Sequence, residues 1–288
     1  MTTDPPRIKI DLSFVGTGFN GFQLQKKGRT VQGELESALD EIGFPPKTVG
    51  CSRTDGGVHA RRYTAHCADH EPGRKCSEIL KGLNRNLPET ILANAVSRAA
   101  PGFHARYSSL EKTYRYFIYV GDAAPPPVAP FVNEMRRQAS AKKMTEILPL
   151  FIGERDFRAF TTSDGRKTNT VRGISSAAVL ALEPLICIEI RGRSFLHRMV
   201  RFIAGALVAY SREKVTAGFL ASALAGREDV LPFPAMPAMG LHLWDVDYGD
   251  LKTSEKYDNT CPLELWPFEG AGFRTVGRAG PQDHPPRS

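Results

Sequence analysis

The chain alternates between stretches in which apolar residues recur at every second position and stretches in which they recur every three or four. A period of two indicates a strand with one buried face, and a period near 3.6 indicates an amphipathic helix. The first strand predicted in this way presents Ile8, Ile10, Leu12 and Phe14 on one face. The first predicted helix has Thr30 as its N-cap. Its apolar positions are Val31, Leu35, Leu39 and Ile42.

The same periods, interrupted by glycine and proline, predict the remaining elements. Further helices are expected at 77–87, 140–151 and 194–211, and Ser194 is the expected N-cap of the last. Further strands are expected at 89–99, 112–120, 174–182, 185–192 and 241–248. The pair 174–182 and 185–192 forms a predicted hairpin. This order of elements predicts an α+β fold, with helices on one face of a largely antiparallel sheet.

Three divisions of the chain follow from this pattern. Residues 1–106 and 107–248 each combine predicted strands and helices, so each is expected to form an α+β half. Residues 249–288 are rich in glycine, proline and charge and show no clear period. We expect them to form a C-terminal extension that is flexible at its far end.

Composition narrows the class of protein. With 41% hydrophobic and 24% charged residues the chain can bury a core, and no apolar run is long enough to span a bilayer. The first ten residues contain no apolar stretch of the kind found in secretory signals, and five cysteines without a C-x-x-C pair favour reduced thiols, so we expect a cytoplasmic protein without such a signal. The net charge of +7 favours a polyanionic partner, although many basic proteins bind none.

The stretch "CSRTDGGVHA" (51–60) is the first candidate for chemistry. Thr-Asp-Gly-Gly is good turn chemistry, so Asp55 could serve geometry alone. Arg53 favours a functional carboxylate, because residues two apart on an extended backbone point to the same side. The two glycines would let a substrate approach closely. His59 and nearby acidic groups match no standard metal spacing, so a structural histidine is expected.

Two further clusters carry aromatic or basic side chains. In 112–120, "KTYRYFIYV", tyrosines alternate with Lys112 and Arg115. This is the pattern of a core strand, or of a surface that stacks bases and binds phosphates. In "RGRSFLHRMVRFIAG", Arg198 and Arg201 are three apart and would share a helix face. That face is either solvated or holds a buried arginine that needs an anionic partner, for which Asp55 is a candidate.

Together these segments resemble the tRNA pseudouridine synthases of the TruA type, which act on the anticodon stem-loop. The family's signature G-R-T-D-x-G-V-H-A is matched by "SRTDGGVHA" except at Ser52, and the N-terminal "FVGTGFNGFQLQ" is similar to the family's first motif. Further similar segments follow in the family's order: "TVQGELESAL", "LNRNLPE", "FHARYSSLEKTYRY", "RDFRAF", "RSFLHRMVR" and "MGLHLWDVDY". The resemblance runs from about Arg7 to Tyr248.

The resemblance implies isomerisation of uridine to pseudouridine in tRNA, by default at nucleotides 38–40, without a cofactor or an obligatory metal. It implies that Asp55 is the nucleophile, that Arg201 pairs with its carboxylate, and that Tyr114 contacts the target base and could act as a general base. It also implies that Arg53 helps to hold the flipped-out nucleotide. The fold implied is two ferredoxin-like or RRM-like halves with a continuous sheet around a central RNA-binding cleft, in a homodimer that binds tRNA.

The alternative from another class is a non-catalytic RNA-binding protein or tRNA chaperone on the same fold. Such a protein would use the basic surface and would tolerate replacement of Asp55. An aspartate facing RNA phosphates is not needed for binding alone, so its presence with Tyr114 and Arg201 favours the enzyme. The sequence leaves open whether the carboxylate attacks C1′ or removes a proton from C2′, and whether Arg201 or Arg198 is its partner.

Overall fold

The computed structural model describes residues 6–136, 139–167, 169–249, 267–268 and 271–281. The chain divides into two compact units. Unit 1 comprises Met1–Leu110 and His242–Glu269, and unit 2 comprises Glu111–Leu241 and Gly270–Ser288. The helices and strands are, in chain order, β1 (Arg7–Phe14), α1 (Val31–Glu41), β2 (Val49–Gly50), β3 (His59–Ala68), α2 (Cys76–Asn86), β4 (Ile91–Arg98), β5 (Glu111–Val120), β6 (Asn133–Met135), α3 (Ala141–Glu146), α4 (Leu148–Phe151), β7 (Gly153–Asp156), β8 (Val171–Leu182), β9 (Leu185–Gly192), α5 (Met199–Ser211), α6 (Ala217–Leu224), β10 (Leu241–Asp247) and β11 (Arg274–Ala279).

Unit 1 is built around β1, which pairs antiparallel with β3 on one side and with β4 on the other. β2 pairs antiparallel with β3, whereas β10 pairs with β3 in parallel. The apolar face of β1 is fully buried, and α1 buries Val31, Leu35, Ala38 and Leu39. On the other face of β1, Asp11 and Ser13 are buried and Arg7 and Lys9 are half-buried, and Asp11 accepts a 2.6 Å hydrogen bond from the Thr64 hydroxyl. β1 is therefore a central strand whose second face is partly buried as well, whereas its alternation had predicted one buried face.

The main strands of unit 2 lie in the order β11-β8-β9-β5. β8 and β9 form the predicted hairpin, and β6 and β7 are short strands that pair with β5 and β8. β5 and β6 are parallel, and the other pairs are antiparallel. The two units together confirm a mixed α+β fold whose strand pairs are largely antiparallel. No helix in the described ranges combines the length and the apolar character needed to cross a membrane.

Besides the short strands β2, β6 and β7, which were not predicted, several elements differ from the sequence prediction. The helix expected at 140–151 is two short helices, because Pro149 lacks the N–H that would bond to the carbonyl four residues earlier and its ring clashes there. α6 was not predicted; Thr216 caps it by accepting from the N–H of Phe219. β11 was not predicted either, and it lies in the extension after Tyr248. Residues 250–266, 269–270 and 282–288 of that extension lie outside the described residues, and the boundaries of the three divisions stay predictions.

The arginine helix also begins later than predicted. Ser194 is not its N-cap, because α5 starts at Met199 and the residue before it, Arg198, has φ 60° and ψ 7°. This left-handed conformation cannot continue a right-handed helix. Arg198 therefore lies outside the helix, and the prediction that Arg198 and Arg201 share a helix face is wrong.

The conformation of Arg198 leads to a stability prediction. A side chain in the left-handed region costs about 1 kcal/mol, and glycine escapes that cost. Arg198→Gly should therefore unfold with a free energy about 1 kcal/mol higher than Arg198→Ala, which removes the same guanidinium but keeps the strain. Urea unfolding of the two variants measures this difference. A glycine variant that is less stable than the alanine variant would contradict the assigned conformation.

Candidate active site

Asp55 lies in the loop that connects β2 to β3, residues 51–58. The loop is closed at its start by the N–H of Cys51, which donates to the carbonyl of Thr64 at 2.9 Å. It turns at Asp55, whose carbonyl accepts from the N–H of Val58 at 3.1 Å, and Gly57 has φ +81°. Asp55 is half-buried and Arg53 is exposed. The glycines do form a turn, and that turn presents Asp55 on a short, fixed loop.

A second segment, Gly16–Phe22, holds this loop from one side. The N–H of Gly57 donates to the carbonyl of Phe19, and the N–H of Phe22 donates to the carbonyl of Thr54, both at 3.3 Å. The backbones approach so closely that a Cβ atom on Gly16 or Gly21 would lie under 3.0 Å from a loop carbonyl. The sequence had indicated only a break in regular structure here. The unused signal was the pair of glycines five residues apart, which permits close contact between two backbones.

The start of α1 fixes that supporting segment in turn. The N–H of Val31 donates to the carbonyl of Gly21 at 3.2 Å, and the N–H of Gln32 donates to the carbonyl of Phe22 at 2.8 Å. Thr30 caps the helix as predicted, accepting from the N–H of Gly33 at 3.2 Å. Two otherwise unpaired N–H groups of the helix start are thereby satisfied by the segment that carries the loop.

An aromatic pair supports the first part of the loop. The rings of Phe22 and Tyr63 are stacked with centroids 4.3 Å apart. The Tyr63 hydroxyl donates to the carbonyl of Ser52, next to Arg53. Gly50 leaves room for this hydroxyl, because a Cβ there would collide with it. Ser52, the position that departs from the family's signature, belongs to this support together with Phe22.

His59 has a structural position, as the sequence indicated. It is fully buried, and its Nδ1 accepts from the N–H of Gly16 at 3.2 Å. Its ring stacks on that of His242, with centroids 4.8 Å apart. In the described part of the chain, no group of three or more histidine, cysteine, aspartate or glutamate side chains is arranged to hold a metal ion.

Tyr114 lies in unit 2, on β5 opposite Ile190 of β9. Its ring is buried and meets the ring of Phe195 edge-on, with centroids 5.0 Å apart. Two residues before it, Lys112 is also buried, and its Nζ donates to the carbonyl of Arg193 at 3.4 Å. β5 thus holds the segment before α5 through two side chains on one face. Sequence reasoning missed Phe195 as a partner of Tyr114, because the segment was assigned to the helix.

The cations of this strand have partners within unit 2. Lys112 is buried, and Arg115 forms an ion pair of 2.8 Å with the buried Glu189 of β9. Arg191 pairs with the same carboxylate at 2.9 Å. The contacts of both cations therefore favour a core strand over a phosphate-binding surface, the two interpretations that the sequence left open.

Arg201 lies in the first turn of α5 and is half-buried. Its Nε donates to the carbonyl of Met236 at 2.6 Å, and the N–H of Met236 donates back to the carbonyl of Arg201 at 3.2 Å. The hydroxyl of Tyr116 donates to the neighbouring carbonyl of Pro237 at 2.8 Å. Burial raises the pKa of Tyr116, and the nearby positive charge of Arg201 partly offsets that rise. One edge of the guanidinium is thus fixed by the protein's own backbone.

Comparisons with known proteins decide the family. A family profile described as tRNA pseudouridine synthase matches residues 147–249. tRNA pseudouridine synthase A of Shouchella clausii is 37% identical over 253 residues, which cover 84% of this chain and 94% of that protein. The chain belongs to the tRNA pseudouridine synthase A family. The Aquifex aeolicus member is 36% identical over 242 residues, covering 84% of this chain and 99% of its own length.

Family membership makes this chain an isomerase and confirms the resemblance seen in the sequence. A solved structure of a Cbf5-Nop10-Gar1 complex also aligns with this chain. The alignment covers 68% of this chain and 44% of the chain in that structure, with a TM-score of 0.30 and 11% sequence identity. That likeness is too weak to bear on fold or function. The structure places Arg53 and Asp55 in unit 1, and Tyr114 and Arg201 in unit 2.

The glycine contacts give a matched pair of variants. Gly21 and Gly18 have similar dihedrals, φ +91° and +83°, but a Cβ on Gly21 would strike the carbonyl of Thr54, whereas one on Gly18 would meet nothing within 4 Å. Gly21→Ala should therefore displace the Asp55 loop and lower pseudouridine formation in tRNA by about 100-fold. Gly18→Ala should lose only about 1 kcal/mol of stability and keep its activity.

Single-turnover assays of both variants below their unfolding temperatures measure this contrast. Equal activities in the two variants would show that the backbone contact does not position the loop.

Proposed function

We propose that this chain isomerises uridine to pseudouridine in the anticodon stem-loop of tRNA, at nucleotides 38–40, with Asp55 as the nucleophile. The observation that carries the proposal is the Asp55 loop. In a chain of this family, a half-buried carboxylate lies on a turn that the backbone of Gly16–Phe22 and the hydroxyl of Tyr63 hold in place. Such a turn presents one acidic group in a fixed position, which covalent chemistry at a sugar carbon requires.

The proposed reaction begins with extrusion of the target nucleotide. The glycosidic bond of a stacked uridine cannot be reached by a protein carboxylate, so the nucleotide must be flipped out of its stack. The exposed guanidinium of Arg53, two residues from Asp55, is suited to hold the displaced nucleotide by its phosphate. Unstacking costs a few kcal/mol, which contacts of this kind offset.

The carboxylate then has two chemically balanced routes. It can attack C1′ while the bond from C1′ to N1 breaks, so that uracil leaves as an anion and the sugar is held as an ester. It can instead remove the proton at C2′, so that uracil leaves and a glycal remains. In both routes the uracil then turns and C5 bonds to C1′. In the first route the ester bond from C1′ to Asp55 breaks as this bond forms, and in the second C2′ of the glycal takes back its proton from Asp55. The C5 proton is then lost and N1 gains a proton, which regenerates the Asp55 carboxylate and yields pseudouridine. Both need Asp55 ionised at the start.

The remaining roles follow from the family resemblance and from local contacts. Tyr114 is proposed to contact the target base and to act as base for the C5 proton. Its edge-on contact with Phe195 fixes the orientation of the ring. Arg201 is proposed to pair with the Asp55 carboxylate. Its Nε donates a hydrogen bond to the carbonyl of Met236, and this bond fixes the orientation of the rest of the guanidinium.

The proposal extends to assembly and location. The resemblance implies a homodimer that binds tRNA across both subunits, in which two α+β halves enclose an RNA-binding cleft. The net charge of +7 fits a polyanionic substrate. We expect the enzyme to meet its tRNA substrate in the cytoplasm.

Asp55→Asn tests the nucleophile. The amide keeps the shape of the side chain but cannot form the ester or accept the C2′ proton, so pseudouridine formation should fall by at least about 1000-fold while tRNA affinity is kept. Carbodiimide mapping of pseudouridine in an unmodified tRNA transcript measures the change site by site. Asp40→Asn, the same change at an exposed position of α1, is the control and should behave as wild type.

An active Asp55→Asn variant would contradict the assigned nucleophile. A wild-type chain that binds tRNA tightly and modifies no uridine would instead favour the non-catalytic RNA-binding protein.

Arg201→Lys tests the carboxylate partner. A single ammonium cannot both hydrogen-bond the carbonyl of Met236 and pair with a carboxylate in the arginine geometry. We expect Arg201→Lys to lose most of its turnover and to keep tRNA binding, and Arg198→Lys to retain both. Single-turnover rates at saturating tRNA make the comparison. Full turnover in Arg201→Lys together with loss in Arg198→Lys would assign the partner to Arg198.

A further inference from the structure

Tyr107 is displayed on a turn, residues 104–109, that the proposed chemistry does not use. The residue is 71% exposed, the highest value among the large hydrophobic residues in the described part of the chain. Burying an aromatic side chain is strongly favourable, so this ring offers a large area that a partner could cover.

The turn is held rigid by its own side chains. The Nδ1 of His104 accepts from two backbone N–H groups, those of Arg106 at 3.1 Å and of Tyr107 at 3.3 Å. The N–H of His104 donates to the Ser108 hydroxyl oxygen at 3.0 Å, and the Ser109 hydroxyl donates to the carbonyl of Arg106 at 3.1 Å. These bonds fix the backbone on both sides of the exposed tyrosine.

The core of unit 1 anchors the same turn. The N–H of Ala105 donates to Nδ1 of the buried His66 at 3.1 Å, and the hydroxyl of Tyr248 donates to the carbonyl of Ala105 at 2.6 Å. At the far end, the N–H of Leu110 donates to the carbonyl of Asp247 at 2.8 Å. The backbone beneath Tyr107 is therefore ordered in the free protein, and a partner would not have to order it.

The ring of Tyr107 has one aromatic neighbour and one cationic neighbour. The ring of His104 lies with its centroid 4.3 Å away at an interplanar angle of 33°. The guanidinium carbon of Arg106 lies 5.8 Å from the ring centroid, and Arg106 is itself exposed. A third aromatic group could pack on the open face of the Tyr107 ring, and the guanidinium of Arg106 beside it could bind a negatively charged group.

We propose that Tyr107 and Arg106 form a stacking site for an unpaired nucleotide of the RNA, with the base on Tyr107 and its phosphate at Arg106. The proposal rests on the function proposed above, because it assigns a substrate contact. The nucleotide is a different one from the target uridine, since that uridine must enter a site that excludes water, whereas Tyr107 is open to solvent.

The surroundings of the ring favour RNA over a protein partner. Apart from the buried Ala105, the other side chains of the turn are polar or cationic, whereas the centre of a protein interface is a wider apolar patch. A base with its phosphate needs one ring and one cation, and unpaired bases are commonly recognised by stacking on tyrosine. The positive net charge of the chain attracts the same partner.

Binding of an unmodified tRNA transcript to Tyr107→Ala tests the site. Loss of one stacked base should weaken the affinity about 5- to 100-fold, with the single-turnover rate at saturating tRNA unchanged. Tyr107→Phe keeps the ring and should bind as wild type. Leu92→Ala truncates another exposed hydrophobic residue of unit 1, on β4 and 41% exposed, and is the matched control.

Salt dependence separates the two members of the site. Arg106→Ala should make the salt dependence of binding weaker. The negative slope of log affinity against log salt concentration should decrease in magnitude by about 0.7, the value for one phosphate contact on a single strand. Tyr107→Ala should leave that slope unchanged, because stacking releases no counterion. Photocrosslinking of tRNA containing 5-iodouridine should label the 104–109 peptide of the wild-type protein, which needs no variant to fold.

Three results would overturn the site: Tyr107→Ala binding like Leu92→Ala, Tyr107→Phe binding as poorly as Tyr107→Ala, or no crosslink in 104–109. Failure of the proposed function is a separate outcome. A wild-type chain that binds tRNA through Tyr107 but forms no pseudouridine would keep the stacking site and refute the reaction.

Discussion

The candidate active site depends on a contact between two backbones. The segment Gly16–Phe22 lies against the Asp55 loop without an intervening side chain, and it exchanges hydrogen bonds at Gly57 and Thr54. Backbone groups cannot change rotamer, so a loop held in this way positions its carboxylate more rigidly than side-chain packing would. The first turn of α1 and the hydroxyl of Tyr63 then fix the segment and the loop in turn. A Cβ atom on either Gly16 or Gly21 would push the two backbones apart and disturb these hydrogen bonds.

In unit 2 as well, hydrogen bonds to backbone carbonyls fix the segments around the candidate residues. Arg201 of α5 donates to the carbonyl of Met236, and Tyr116 of β5 donates to the carbonyl of the next residue, Pro237. These two side chains therefore fix the segment that precedes β10. Tyr114 is oriented by Phe195 in a segment that the left-handed Arg198 keeps out of the helix. Unit 1 thus presents Asp55 from a loop that other backbone segments fix, whereas the candidate residues of unit 2 lie on β5 and in the first turn of α5 and are oriented by the segments next to them.

The sequence predicted the elements whose signal is local. The existence of the strand β1, the cap at Thr30 and the hairpin of β8 and β9 depend on neighbouring residues, and the structure confirms them. The sequence prediction failed where the structure is determined by contacts between residues that are distant in the chain. The start of α5 depends on Arg198, and the pairing of Arg115 depends on Glu189 of another strand. The glycine contact joins residues more than 30 apart, so no local period could reveal it. The assignment of Asp55 came from its motif and from the family resemblance.

The central claim is that the carboxylate loop serves isomerisation of uridine, in which C5 of uracil loses its hydrogen as it bonds to C1′. The most direct measurement is the release of tritium to water from tRNA labelled at C5 of its uridines, incubated with the purified wild-type chain. The account predicts that tritium appears in step with pseudouridine, one atom for each residue formed. Tight binding of the labelled tRNA without any release of tritium would contradict it.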